Sequence, residues 1–70
     1  MPTFSQRMEE LRKKKGLSQK AVAEAVGITS RTYQRYEAGE REAAVSTLIR
    51  MADFYDVTVD YLVGRTDSEG

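Results

Sequence analysis

An all-α fold of five short helices is what this sequence predicts, and three observations carry the reading. Apolar residues recur at helical spacing, glycine closes four of the apolar stretches, and no stretch alternates as a strand would. Phe4, Met8 and Leu11 place an amphipathic helix over residues 4–15, stopped by Gly16. Ser18 is a good N-cap for a second helix, whose Val22, Ala23 and Val26 face inward until Gly27 ends it. Thr29 caps a third helix running to about Ala38 and stopped by Gly39, and residues 40–44 form a polar loop. A fourth helix over 45–55 is expected to bury Val45, Leu48, Ile49, Ala52 and either Phe54 or Tyr55. Asp56 takes the turn that ends it, a position where Gly is easier and Asp is tolerated. Thr58 caps a last helix, Val59 to Val63, ended by Gly64, and the polar tail RTDSEG is expected to fray. The 70 residues thus read as a single domain, 1–70, with an ordered core over 4–64 and a polar tail at 65–70.

Composition narrows the chemistry. The chain holds no Cys and no His, which removes disulfides, nearly all zinc sites and most nucleophile–base pairs, so neither catalysis nor a cofactor is expected. No apolar run reaches the length of a membrane span, and the start MPTFSQRMEE has no signal-peptide core; a cytoplasmic location without membrane contact follows as the expectation. The formal net charge is zero but unevenly spread. Residues 1–41 carry nine basic and five acidic side chains, a net +4, whereas residues 42–70 carry two and six, a net −4. One end suits an anionic partner and the other repels it.

Between the second and third helices lie only three residues, Gly27-Ile28-Thr29. So short a gap does not allow an antiparallel hairpin and makes the helices cross steeply, as in a helix-turn-helix. Ala23, one turn before Gly27, leaves room for the third helix to approach, and Gly27 accepts a positive φ. Unrolling the third helix at about 100° per residue puts Tyr33, Tyr36 and Thr32 on one side. Ser30, Arg31, Gln34 and Arg35 fall on the other, with no acid among them. Those are the side chains that read base edges: Arg bidentate to guanine, Gln to adenine, Ser to either.

The segment GLSQKAVAEAVGITSRTYQRYEAGER resembles the helix-turn-helix of the phage repressor and Cro type, the XRE-like family of bacterial regulators, and the likeness runs from about Phe4 to Gly64. It implies a compact, lambda-repressor-like DNA-binding domain of five helices whose third helix enters the major groove of double-stranded DNA. By position in that family's motif, Ser30, Arg31 and Arg35 read bases, and Gln34 sits where base or backbone contacts occur. Gln19 matches the position that touches phosphate and sometimes an outer base, Thr29 and Thr32 lie where backbone or base contacts occur, and Arg41, beside Glu40 and Glu42 in the following loop, is expected to compensate for them at the phosphate backbone. Arg12 and Glu37 match an internal ion pair between the first helix and the end of the third.

Three departures from the family pattern stand out. Ala43-Ala44 replaces the frequent Pro and capping residue before helix four, so that helix starts less securely. Glu40 and Glu42 stand in a loop where basic or neutral side chains are frequent near phosphate. Tyr33 is bulkier than the usual branched aliphatic; its ring is expected in the core with the hydroxyl reaching the edge. Lys13, Lys14 and Lys15 suit the negative end of a helix as well as they suit phosphate.

The apolar residues of the last helix cannot all face inward on so short an element, which marks Val59, Tyr61 and Val63 as candidates for a dimer contact. The function expected is a sequence-specific transcriptional regulator, most simply a repressor, binding a palindromic operator as a homodimer. No small-molecule effector is evident. A protein-interaction or antitoxin-like module of the same fold is the alternative; its outward face would favour apolar or acidic residues over Arg31 and Arg35.

Overall fold

The computed structural model describes residues 3–70; Met1 and Pro2, which open the expected domain, lie outside the described residues. Five helices follow one another as α1 (Phe4–Lys15), α2 (Gln19–Val26), α3 (Ser30–Glu37), α4 (Val45–Tyr55) and α5 (Val59–Leu62), with no strand among the described residues. α3 packs against α1 and α2, α4 against α2 and α5, and α5 returns to α1. Around their shared centre Met8, Val22, Ala23, Tyr33, Met51 and Leu62 are all fully out of contact with solvent.

The helix starts are local chemistry. The hydroxyls of Ser18, Thr29 and Thr58 accept from the backbone N–H three residues on, at 3.0, 3.1 and 3.0 Å. Each thereby satisfies one of the amides that a helix start leaves without an intrahelical partner. α1 opens on a capping box that the sequence reading did not single out: Thr3 accepts from the Gln6 N–H at 3.3 Å, and the Gln6 side chain accepts from the Thr3 N–H at 2.8 Å. α4 has Ala44 at its N-cap and no side-chain cap, the weak start that Ala43-Ala44 implied. Asp56 ends α4 in the left-handed region, φ 56°.

Four expectations are corrected. α4 turns a different face to the core: Thr47, Met51, Ala52 and Tyr55 are buried, whereas Val45 and Ile49 remain 71% and 48% exposed. The two stripes are neighbours on one helix, and a partner outside the helix decides between them. Tyr55 is in the core, its hydroxyl 2.9 Å from that of Tyr33, and Val45 and Ile49 lie on the outward side of this face. The Tyr33 hydroxyl therefore does not reach the edge; it is paired inside.

In α5, Tyr61 is buried, while Val59 and Val63 are half-buried, so the ring offered as a dimer contact faces inward. The tail, expected to be free, makes contacts with the body of the domain. Asp67 accepts from Arg7 at 2.8 Å, and the Glu69 carbonyl accepts from the Thr58 N–H at 3.0 Å. Arg7 is 5% exposed, and its guanidinium lies 3.9 Å from the centre of the Tyr61 ring, which places a cation over a π face.

Candidate nucleic-acid interface

The approach of α2 to α3 is set by its closing turn. Gly27 has φ 77°; its N–H donates to the Glu24 carbonyl and the next N–H, of Ile28, reaches back to Ala23 at 3.0 Å. That pairing of bonds is a Schellman closure, and it needs the left-handed residue that glycine supplies without strain. Two residues later Thr29 already caps α3, so the third helix starts as soon as the second has ended.

α3 then presents two unlike sides. Outward lie Arg31, Gln34 and Arg35, all exposed, with Ser30 half-buried at the helix start. Among the described residues no carboxylate pairs with Arg31, Arg35 or Arg41. Arg31, Gln34 and Arg35 line a shallow depression of about 360 Å³ together with Ala38 and Glu40. Such a surface offers forked guanidinium donors and an amide with both a donor and an acceptor, each with its hydrogen-bonding capacity unspent. Glu40 puts a carboxylate at the rim, and its N–H is fixed to the Arg35 carbonyl at 2.9 Å.

Inward, the helix is anchored by a polar network. Arg12 grips Glu37 bidentately, Nε to Oε2 at 2.7 Å and Nη2 to Oε1 at 3.1 Å, and Arg12 Nη1 also donates to the Leu17 carbonyl at 3.0 Å. The side chains are 15% and 3% exposed, so this is a desolvated pair that holds α1 to the end of α3. Burial alone would favour the neutral acid, but hydrogen bonds from Arg12 and Gln19 outweigh it and hold the Glu37 carboxyl below the usual carboxylate range. Burial, reinforced by the bond to Tyr55, pushes the Tyr33 phenol far above its ordinary value.

The flanking positions are brought to the same region of the chain with different degrees of freedom. Gln19, at the start of α2, donates through Nε2 to Glu37 at 3.1 Å, which leaves one amide proton and the carbonyl oxygen unused. The Thr29 hydroxyl donates to Thr32 Oγ1 at 2.9 Å, so the Thr32 proton is left to seek another acceptor. Arg41 is exposed in the loop after α3. The lysines ending α1 are engaged locally: Lys13 lies 3.6 Å from Glu9, Lys14 lies 3.5 Å from Glu69, and Lys15 lies 5.6 Å from the centre of the Phe54 ring.

Arg7 is the residue that reading the sequence missed. A signal was there, since Arg7, Met8 and Leu11 form one helical stripe, but its charge argued for solvent. Among the described residues, no group of three or more His, Cys, Asp or Glu side chains is arranged to hold a metal, and no helix is long and apolar enough to cross a membrane.

This architecture is that of a helix-turn-helix domain. The helix-turn-helix family model matches residues 8–62, and the chain belongs to that family. Over 59 residues it is 44% identical to the HTH-type transcriptional regulator AnsR of Bacillus subtilis, covering 84% of this chain and 51% of the relative. Over 66 residues it is 36% identical to the cryptic phage CTXphi transcriptional repressor RstR of Vibrio cholerae, covering 94% of this chain and 58% of the relative. The fold is also that of the P22 c2 repressor solved in complex with a synthetic operator, with a TM-score of 0.88 at 23% identity, covering 94% of this chain and 100% of that one. These relatives are regulators and repressors rather than enzymes. The chain spans little more than half the length of the two curated relatives.

Proposed function

We propose that this chain is the DNA-binding domain of a transcriptional regulator, a repressor that occupies a two-fold-symmetric operator as a homodimer. Ser30, Arg31, Gln34 and Arg35 read base edges in the major groove, and Gln19, Thr29, Thr32 and Arg41 hold the phosphate backbone. The observation that carries the reading is the outward face of α3, where two arginines without an acidic partner flank Gln34 just beyond a glycine turn. One such helix reads only a few base pairs, and two copies reading half-sites about one helical turn, ~34 Å, apart double the information.

Selection of bound duplexes from a random pool at roughly 150 mM salt tests this, because phosphate contacts alone weaken steeply with salt. The expected result is a two-fold-symmetric motif recovered by the wild type and lost by the Arg31→Ala/Arg35→Ala double variant. If the folded protein enriches nothing, the base-reading assignment fails and a protein-interaction module takes its place.

A further inference from the structure

Glu40 puts a carboxylate where the loop after α3 meets the outward face of that helix, and its place is set by the way α3 ends. Gly39, φ 74°, donates its N–H to the Tyr36 carbonyl at 3.2 Å, and the Glu40 N–H reaches back to the Arg35 carbonyl at 2.9 Å. That pairing is a second Schellman closure, and it seats Glu40 against the last turn of α3. The side chain is exposed, and among the described residues it pairs with no cation. It lines the same depression as Arg31, Gln34, Arg35 and Ala38. Glu42, two residues on, lines the hollows beside Phe4 instead.

A carboxylate held on a face that meets DNA has few acceptable partners, because it accepts hydrogen bonds and donates none. In the major groove guanine offers two acceptors and thymine one, while adenine sets an acceptor beside its amino group. Cytosine offers its N4 amino donor with no acceptor beside it. Every other base therefore turns at least one lone pair toward the carboxylate, and phosphate turns a full negative charge toward it.

We infer, on the DNA reading above, that Glu40 is a specificity-determining residue whose carboxylate accepts from N4 of a cytosine adjoining the base read by Arg35. Arg35 and Glu40 then read neighbouring positions in opposite senses, the guanidinium seeking acceptors and the carboxylate a donor. Discrimination is two-sided. A wrong base at this position loses the bond and also leaves the carboxylate facing acceptors.

The test selects duplexes from a random pool with the full 70-residue chain, as wild type and as Glu40→Ala, Glu40→Gln and Glu42→Gln. The wild-type motif is expected to hold a cytosine beside the position that Arg35→Ala relaxes, and replacing that cytosine by another base should weaken binding about tenfold. Glu40→Ala should lose preference at that position and keep the rest of the motif. Glu40→Gln should move the preference from cytosine to adenine, since an amide both donates and accepts and so matches adenine N6 and N7. Glu42→Gln removes the same charge away from the depression and should leave the motif as it is. All three variants should melt with the wild type, because the Glu40 and Glu42 side chains are exposed and the backbone N–H that Glu40 uses is kept.

The possible failures are distinct. If the folded wild type selects no motif, the DNA reading falls and takes Glu40 with it. If the wild type selects a motif that Arg31→Ala/Arg35→Ala loses, but that motif lacks the cytosine or is unchanged in Glu40→Ala and Glu40→Gln, the Glu40 assignment falls and base reading by α3 stands. An intact motif with Glu40→Gln and Glu42→Gln strengthening binding to every duplex alike also overturns it, since the carboxylate then acts only by repelling phosphate.

Discussion

The two sides of α3 differ in what their polar groups are bound to. On the inner side Glu37 is held by Arg12 and Gln19, and the Tyr33 hydroxyl by Tyr55, so the helix is tied to α1, α2 and α4. On the outer side Arg31 and Arg35 project without an acidic partner. The difference teaches that the groups anchoring this short helix and the groups proposed to read DNA are different residues. The inner side fixes where the helix lies, and the outer side keeps its hydrogen bonds for something else. Gln19 alone belongs to both, with one amide proton spent inside and one left over.

That division can be broken most forcefully from the inside. Glu37→Ala leaves the Arg12 guanidinium, 15% exposed, without its counter-ion, and should cost about 3–5 kcal/mol of folding stability in urea melts. Binding by whatever fraction remains folded should keep its sequence preference; a relaxed preference at full stability would mean that the two sides are not separate. The same pair sets the behaviour in acid. Because the native carboxyl is held below its ordinary 4.5, its contribution is complete above that value and is lost as pH falls through the lower native one. Glu37→Gln should flatten that acid limb of the stability–pH curve.

From the outside, Arg31→Ala and Arg35→Ala should each cost about 1–3 kcal/mol on the selected site and relax preference at one base pair, with melts unchanged within ~0.5 kcal/mol. Tyr33→Phe is the converse probe. It strands the buried Tyr55 hydroxyl and should cost roughly 1–3 kcal/mol of stability with no change in base preference. Since burial raises the Tyr33 phenol above its ordinary 10.0, the stability it contributes is present below that value and is lost as pH climbs beyond it. The smallest effect is a gain. Ala44→Asp supplies the cap α4 lacks and should add about 1 kcal/mol without altering recognition.

Local chemistry was the legible part of this molecule. Ser18, Thr29 and Thr58 fix helix starts through their own hydroxyls, and Gly27 and Asp56 fix helix ends through φ, so neighbours in sequence are sufficient to read them. The outward set on α3 was legible for a related reason, since helical periodicity places it once the buried tyrosines are known.

What escaped depends on partners far along the chain. Residues 45–55 alone do not distinguish a stripe through Ile49 from one through Met51; the packing of Met51, Ala52 and Tyr55 against the rest of the core, with Tyr55 bonded to Tyr33 22 residues earlier, is seen only in the fold. Arg7 is buried because Asp67, 60 residues on, and the Tyr61 ring receive it. Gln19 was placed on phosphate by family position, but its bond to Glu37 could be found only with the fold in hand.

The Arg7–Asp67 bond bears on where this domain can be cut. A fragment ended at Gly64, where the helical pattern stops, would discard Asp67 and the Glu69 carbonyl together. It would take from the Arg7 guanidinium its Asp67 and Thr66 acceptors and leave the Tyr61 ring beside it, with an Nε that already lacks a partner. The packed unit therefore includes contacts made past its last helix. A truncation series that melts progressively lower from residue 70 to residue 64 would trace that boundary to a charge that must not be left alone.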